Sequence, residues 1–269
     1  MSGLLPLTGR ELKKWYRNPT YLIVSVIQPI FWVLLFGSAI DIAKFAFPGA
    51  PVSSFFNGAP DYITFLLGGI LTVLSLFTAM FSGINIIWDR RLGVLTRFLA
   101  SPIHRSSIVF SRMLASVVKI AVQAAILIGI AAVIPDGLKF PHGFTVFDAL
   151  ILFTAMLLIS VIFGSIFSVI AIKMTQVNTI MGIVNLVNLP LMFASTALFP
   201  GAIMQPWLHH VAMYNPISWS ADTIRTVIIN GDLNAAQMHS VGLNLLYLFI
   251  FAVVMILITY FASEKGIQN

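Results

Sequence analysis

Apolar runs long enough to cross a bilayer leave this chain little freedom in how it can fold. A helix needs about 20 predominantly apolar residues to cross a hydrocarbon core of roughly 30 Å. Six runs reach that length, at about 21–40, 62–87, 113–134, 149–172, 178–198 and 241–262. In lipid every backbone N–H and C=O must be paired inside the protein, so runs of this kind fold as helices. The expectation is an all-α integral membrane protein with six transmembrane helices, all in a single domain over residues 1–269. Composition excludes a soluble globule, because only 9% of the residues are charged and the mean hydropathy is +0.97, against about 25% charged in soluble domains. The first run exceeds the roughly 7–15-residue apolar core of a signal peptide and reads as an anchor.

The few charges then orient the spans. With the N-terminus inside, Arg10, Lys13, Lys14, Arg17, Arg90, Arg91, Arg97, Arg105, Arg112, Lys173 and Lys265 are cytoplasmic. Only Lys44, Lys139 and Arg225 fall outside, where most of the acids collect: Asp41, Asp61, Asp136, Asp148, Asp222 and Asp232. Basic loops mark the cytoplasmic face, so both termini are expected there, in a multi-pass protein of the cell membrane. The same rule accounts for the net charge of +6 without a nucleic-acid partner. Lys119 lies inside the third span, near enough to its inner end to snorkel.

Three segments are neither spans nor simple loops. Residues 1–18 carry Arg10, Lys13, Lys14 and Arg17 at helical spacing beside Leu5, Leu12, Trp15 and Tyr16, which suits an amphipathic helix on the inner membrane surface. "WDRRLGVLTRFLASPIHR", residues 88–105, holds four arginines. A helix drawn over 90–102 puts Leu92, Leu95 and Leu99 on one side and Arg90 and Arg97 on the other. Pro102 would stop it. Residues 199–232 are apolar but divided by Pro200, Pro206 and Pro216 into pieces too short to cross, the pattern of an outer re-entrant hairpin.

Chemistry is sparse. The chain has no cysteine and no glycine followed by lysine, so thiolate sites and a Walker A loop are both missing. H-E-x-x-H and G-x-S-x-G are also missing. Adjacent His209 and His210 point to different sides of a helix and make a poor metal pair. No catalytic, metal or cofactor site is expected in this chain. Asp222 and Arg225, three apart, form a structural pair on one helix face. Two polar stripes stand out: Gly68, Thr72, Ser75, Thr78, Ser82 and Asn85 in the second span, and Asn178, Gly182, Asn185, Asn188, Met192 and Ser195 in the fifth. Small and polar residues are the usual adhesive between membrane helices, so each stripe is either packing or a translocation surface.

Taken together, these segments resemble the permease subunit of an ABC-2 type transporter, and the resemblance covers essentially the whole chain. "RRLGVLTRFLASPIHRSSIVFSRML" is similar to the family's cytoplasmic loop of the form R-E-x-G-T-L-E-x-L-x-x-S-P-x-x-R. "LPLMFASTALFPGAIMQPWLHHVAMYNPISWSADTIR" is similar to its P-L-x-F-x-S-x-x-F-P…P-W-L…N-P-x-x-x-x-x-D-x-x-R signature. Arg91 and Arg97 stand where the family loop often has acids, closer to its drug-exporter branch. The resemblance implies that residues 90–102 form a coupling helix docked in a groove of a separate ABC ATPase subunit, which holds the ATP and magnesium. Leu92, Leu95 and Leu99 would pack there and Arg90 and Arg97 make polar contacts, a helix laid into a groove. It also implies a homodimer, an exporter of amphipathic or lipid-linked substrates, and a pathway that takes in Ser75, Thr78, Ser82, Asn85, Asn185, Asn188, Met192 and Ser195.

Two other classes share part of this pattern: an ion-coupled carrier or channel, and a membrane anchor for a cytoplasmic enzyme. Few ionisable groups lie within the spans, which disfavours coupled ion transport. The orientation is open to direct test. A topology reporter fused after Lys265 is expected inside the cell and one inserted at Asp136 outside; both on one side would overturn the six-span layout.

Overall fold

The computed structural model describes residues 3–39, 56, 58–60, 62–101, 103–133, 143–174, 176–231 and 233–266. Ten α-helices and a short 3-10 turn, with no strand, make up the described residues. They are α1 (Leu4–Tyr16), α2 (Pro19–Ala39), α3 (Tyr62–Arg91), α4 (Val94–Leu99), α5 (Arg105–Val133), α6 (Val146–Lys173), α7 (Val177–Phe193), α8 (Pro206–Met213), α9 (Pro216–Asn230) and α10 (Ala235–Gly266). Four of them, α3, α5, α6 and α10, are long and apolar enough to cross a membrane. The apolar parts described for α2 and α7 are shorter. Pro102 and the loop charges Asp41, Lys44, Asp61, Asp136, Lys139 and Asp232 lie outside the described residues.

The boundaries shift where local chemistry overrides hydropathy. Asp148, expected just outside the span that begins at 149, sits in the first turn of α6. There it closes a capping box: the Thr145 hydroxyl accepts from the Asp148 amide at 3.2 Å, and the Thr145 amide donates to the Asp148 carboxylate at 2.8 Å. Such a cap satisfies amides that the first helical turn leaves unpaired. The span expected over 178–198 ends as a helix at Phe193, after Pro190.

α3 is the axis of the bundle. Phe65, Leu66, Leu67, Leu71, Met80 and Ile84 on it are fully buried, and they share one core with Phe163 and Phe167 of α6. α10 lies on the far side of α6 and turns Phe249, Ile250, Leu257 and Phe261 outward. A water-soluble protein would bury that side; here it is a surface for lipid.

Glycines set how closely helices approach α3. A Cβ at Gly68 would lie 3.1 Å from the Arg225 backbone amide on α9, and one at Gly83 would lie 2.9 Å from the Ser168 amide on α6. At Gly69 it would overlap the Ala197 carbonyl outright. Gly69→Ala should therefore destabilise the chain by about 1–3 kcal/mol, the usual cost of overpacking a filled interior. Gly129→Ala, where nothing lies within 4 Å, should be neutral or slightly stabilising. Thermal unfolding of the two purified variants checks this, and equal melting temperatures would refute the close approach at Gly69.

Candidate functional site

The expected coupling helix is shorter than the periodicity suggested. α3 continues through Arg91, so Arg90 and Arg91 belong to it. Gly93 then adopts the left-handed conformation, φ +67°, and its amide donates to the Arg90 carbonyl at 3.1 Å. A glycine there ends a helix cheaply, and α4 starts afresh at Val94. The Ser101 hydroxyl donates to the Phe98 carbonyl at 2.7 Å, closing the far end.

This break redistributes the docking candidates. Arg90 turns inward and donates to the carbonyls of Ile172 (2.9 Å) and Met174 (3.1 Å), so it caps the end of α6. Leu95 is only 4% exposed and packs with Leu7 of α1 and Ile108 of α5, with Phe98 and Ile103 beside them. An aspartate at 95 would loosen the chain's own packing before it disturbed any partner. Leu92 and Arg97 face outward, Leu92 with 69% of its surface exposed. The side chain of Leu99 lies outside the described residues.

Under α4 sits a buried charge cluster that sequence reasoning had scattered among loops. Arg112 of α5 forms an ion pair with Asp89 near the end of α3. Arg10 of α1 approaches the same carboxylate at 3.7 Å and bonds Glu11 at 3.0 Å. Its guanidinium also lies 4.9 Å from the Phe98 ring, a cation–π contact reaching α4. The Thr8 hydroxyl bonds the Ser111 carbonyl (3.2 Å) and the Ser82 hydroxyl the Arg112 carbonyl (2.8 Å). α1, α3, α4 and α5 are thereby tied into one block. The signal in the sequence was Asp89, a lone acid beside two arginines.

α1 differs from its expected pose as well. Leu7, Thr8, Glu11 and Trp15 form its buried seam, while Leu5 and Tyr16 remain exposed. Lys119 does not snorkel: it is 6% exposed and lies in a cavity wall beside Trp15.

The polar stripe of α3 is largely taken up by neighbouring helices. Thr72 bonds Ser220 of α9 at 3.1 Å, Thr78 bonds Gln123 of α5 at 3.0 Å, and Ser75 is fully buried with its hydroxyl on the Leu71 carbonyl. Asn85 is half-buried. The stripe of α7 divides: Asn178, Gly182 and Asn185 are exposed, whereas Asn188, Met192 and Ser195 are buried. The two stripes therefore do not form one common surface within a single chain.

At the opposite end, the segment between α7 and α10 is knotted around Arg225. Its guanidinium, 1% exposed, donates to the carbonyls of Phe65 (3.1 Å), Thr196 (2.9 Å) and Ala197 (3.3 Å) and to Asp222 (2.7 Å). It stacks over the Phe65 ring at 3.7 Å. Thr196 returns a hydroxyl bond to Asp222 at 2.9 Å. Asn215 caps α9 through the Ile217 amide and donates to the Leu191 and Ala194 carbonyls at 2.8 Å. The expected pair Asp222–Arg225 is present, and it is the centre of a buried network. His209 and His210 are exposed, and the described residues contain no group of three side chains able to hold a metal.

Asn215, Asp222 and Arg225 thus serve one buried knot. The family described as ABC-2 type transporter matches residues 4–229. This chain belongs to that family. A Porphyra purpurea protein named as transport permease ycf38 is 33% identical, over 86% of this chain and 75% of its own length. The Mycobacterium tuberculosis protein named as doxorubicin resistance ABC transporter permease protein DrrC is 23% identical, over 83% and 76%. The Streptomyces coeruleorubidus daunorubicin resistance ABC transporter permease protein DrrB1 is 21% identical, over 85% and 75%. The chain is accordingly an ABC-2 type, multi-pass membrane protein of the permease kind.

The knot makes a sharp prediction for this ABC-2 permease. Arg225→Lys keeps the charge but removes the planar fork that serves four acceptors. Loss of about 1–3 kcal/mol is expected from the buried carbonyls left without a donor, read as a drop in melting temperature in detergent. Wild-type stability of that variant would show the fork to be dispensable.

Proposed function

We propose that the chain is the membrane subunit of an ATP-binding-cassette exporter, moving an amphipathic or lipid-linked substrate across the cytoplasmic membrane. Six spans, with α2 and α7 among them, carry both termini on the cytoplasmic side, and the segment 199–232 re-enters from outside. ATP and magnesium belong to a separate ATPase subunit. The relatives named as drug-resistance ABC transporter permeases support this reading.

One observation carries the coupling. α4 is a separate six-residue helix held from behind by Leu95 and Phe98, so Arg97 on its outer side and Leu92 in the turn before it are free to meet a partner. The docking surface is therefore Leu92 and Arg97, with Leu95 holding the helix in place. A push on that surface reaches α1 through Leu7 and Arg10, and α5 through Ile108. A second copy of the chain covers α7, whose exposed face combines Asn178, Gly182 and Asn185 with Leu186 and Leu189.

Co-purification with a co-expressed ABC ATPase subunit tests the reading. Leu92→Asp should lower affinity by about 2 kcal/mol, on the order of thirtyfold, with the permease's own melting temperature unchanged. Arg97→Ala should weaken binding modestly and make it less salt-dependent, as a rim charge does. The complex should weigh as two permeases and two ATPases. Undiminished ATPase recovery with Leu92→Asp, or a complex with one permease, would count against it.

A further inference from the structure

We propose that a cavity enclosed by α1, α2, α3 and α5 binds an anionic amphiphile, with its acidic head at Lys119 and its chain beside Trp32 and Phe77. The cavity measures about 250 Å³, a little below the roughly 300–1,000 Å³ of sites that enclose a whole drug-sized ligand. It therefore has room for a head group and part of a chain.

Its lining is polarised along its length. At the end nearer α4 stand Trp15, Lys119, Gln123 and Thr78. Farther along α3 come Phe77, Leu74 and Ile70, with Trp32 and Leu198 facing them. The eleven steps from Ile70 to Phe81 advance roughly 16 Å along the helix.

At the polar end there are donors without acceptors. Lys119 as a residue is 6% exposed, and its ammonium, in the cavity wall, forms no hydrogen bond or ion pair among the described residues. Glu11 attracts it from a distance, but that carboxylate already holds Arg10 at 3.0 Å, and Lys14 and Arg112 repel it. The Trp15 indole N–H is buried and likewise has no acceptor. The Gln123 carbonyl accepts from Thr78 at 3.0 Å and is not bonded to either donor. Buried donors left unpaired are costly, and an unpaired buried charge more so. A phosphate or carboxylate satisfies both, while a cation or a neutral head does not.

The way in is lateral. Val24 and Phe81 on the rim are exposed, and an apolar groove on α2 lined by Ile27, Phe31 and Leu35 adjoins the cavity through Val24 and Trp32. An amphiphile can thus slide in from the membrane, head first, at the level of the leaflet next to α4.

Native mass spectrometry of the purified full-length chain tests this, with dioleoylphosphatidylglycerol as probe and dioleoylphosphatidylcholine as neutral control. One phosphatidylglycerol per chain should bind tightly. Lys119→Met should weaken it about tenfold or more, the scale of a lost charge-assisted hydrogen bond, without changing phosphatidylcholine binding. Lys119→Arg should retain it. Trp15→Phe, which removes only the indole donor, should weaken it a fewfold and serves if Lys119→Met does not fold. Equal phosphatidylglycerol binding by wild type and the Met and Phe variants, or equal binding of both lipids by wild type, would overturn the site. Release of the acidic occupant on adding ATPase and ATP would mark transported cargo, and retention a resident lipid; either upholds the site. The binding arm needs no ATPase, so its failure is distinct from failure of the exporter reading.

Discussion

A guanidinium buried among helices must be surrounded by acceptors, and Arg225 draws the end of the bundle around itself to find them. Three of its partners are backbone carbonyls from α3 and from the turn after α7, and the fourth is Asp222 one helical turn away. In lipid no water replaces a missing acceptor. The geometry of α9 against α3, the position of the 194–199 turn and the need for Gly68 and Gly69 all follow. A bulkier residue at Gly69 would push away the Ala197 carbonyl that the guanidinium reaches, and one at Gly68 would push back Arg225 itself.

The other end repeats the principle with different chemistry. Asp89 and Arg112 pair across α3 and α5, and Arg10 brings α1 to the same carboxylate. Between these ends the helices associate by small residues and hydroxyls that bond into neighbouring helices, among them Ser82, Thr72 and Thr78. Since lipid removes most of the hydrophobic drive for helices to associate, such contacts determine the packing.

Most of the architecture was legible because hydropathy and length report directly on a membrane's thickness. α2, α3 and α6 start and stop within about four residues of their expected limits, whereas α5 begins at Arg105, well before 113, and α10 at Ala235, well before 241. The sites were less legible, because their partners are distant or carry no side-chain signal. Asp222 and Arg225 announce a pair, but nothing in the sequence says that the carbonyl of Phe65, 160 positions away, completes it. Leu95 falls on the same helical side as Leu92 in any periodic drawing, and only the left-handed turn at Gly93 separates their fates. Lys119 reads as a span-end lysine until α1 is seen to cover it.

That turn at Gly93 has a mechanical consequence. α3 is a strut roughly 45 Å long, and a docking helix continuous with it could only be driven along its axis, the stiffest direction a helix has. By interrupting the strut two residues past Arg91, the chain converts its short end-piece into a crank. In the proposed docking, load applied there enters the tied block of α1, α3 and α5 from its flank, not along the axis of the strut.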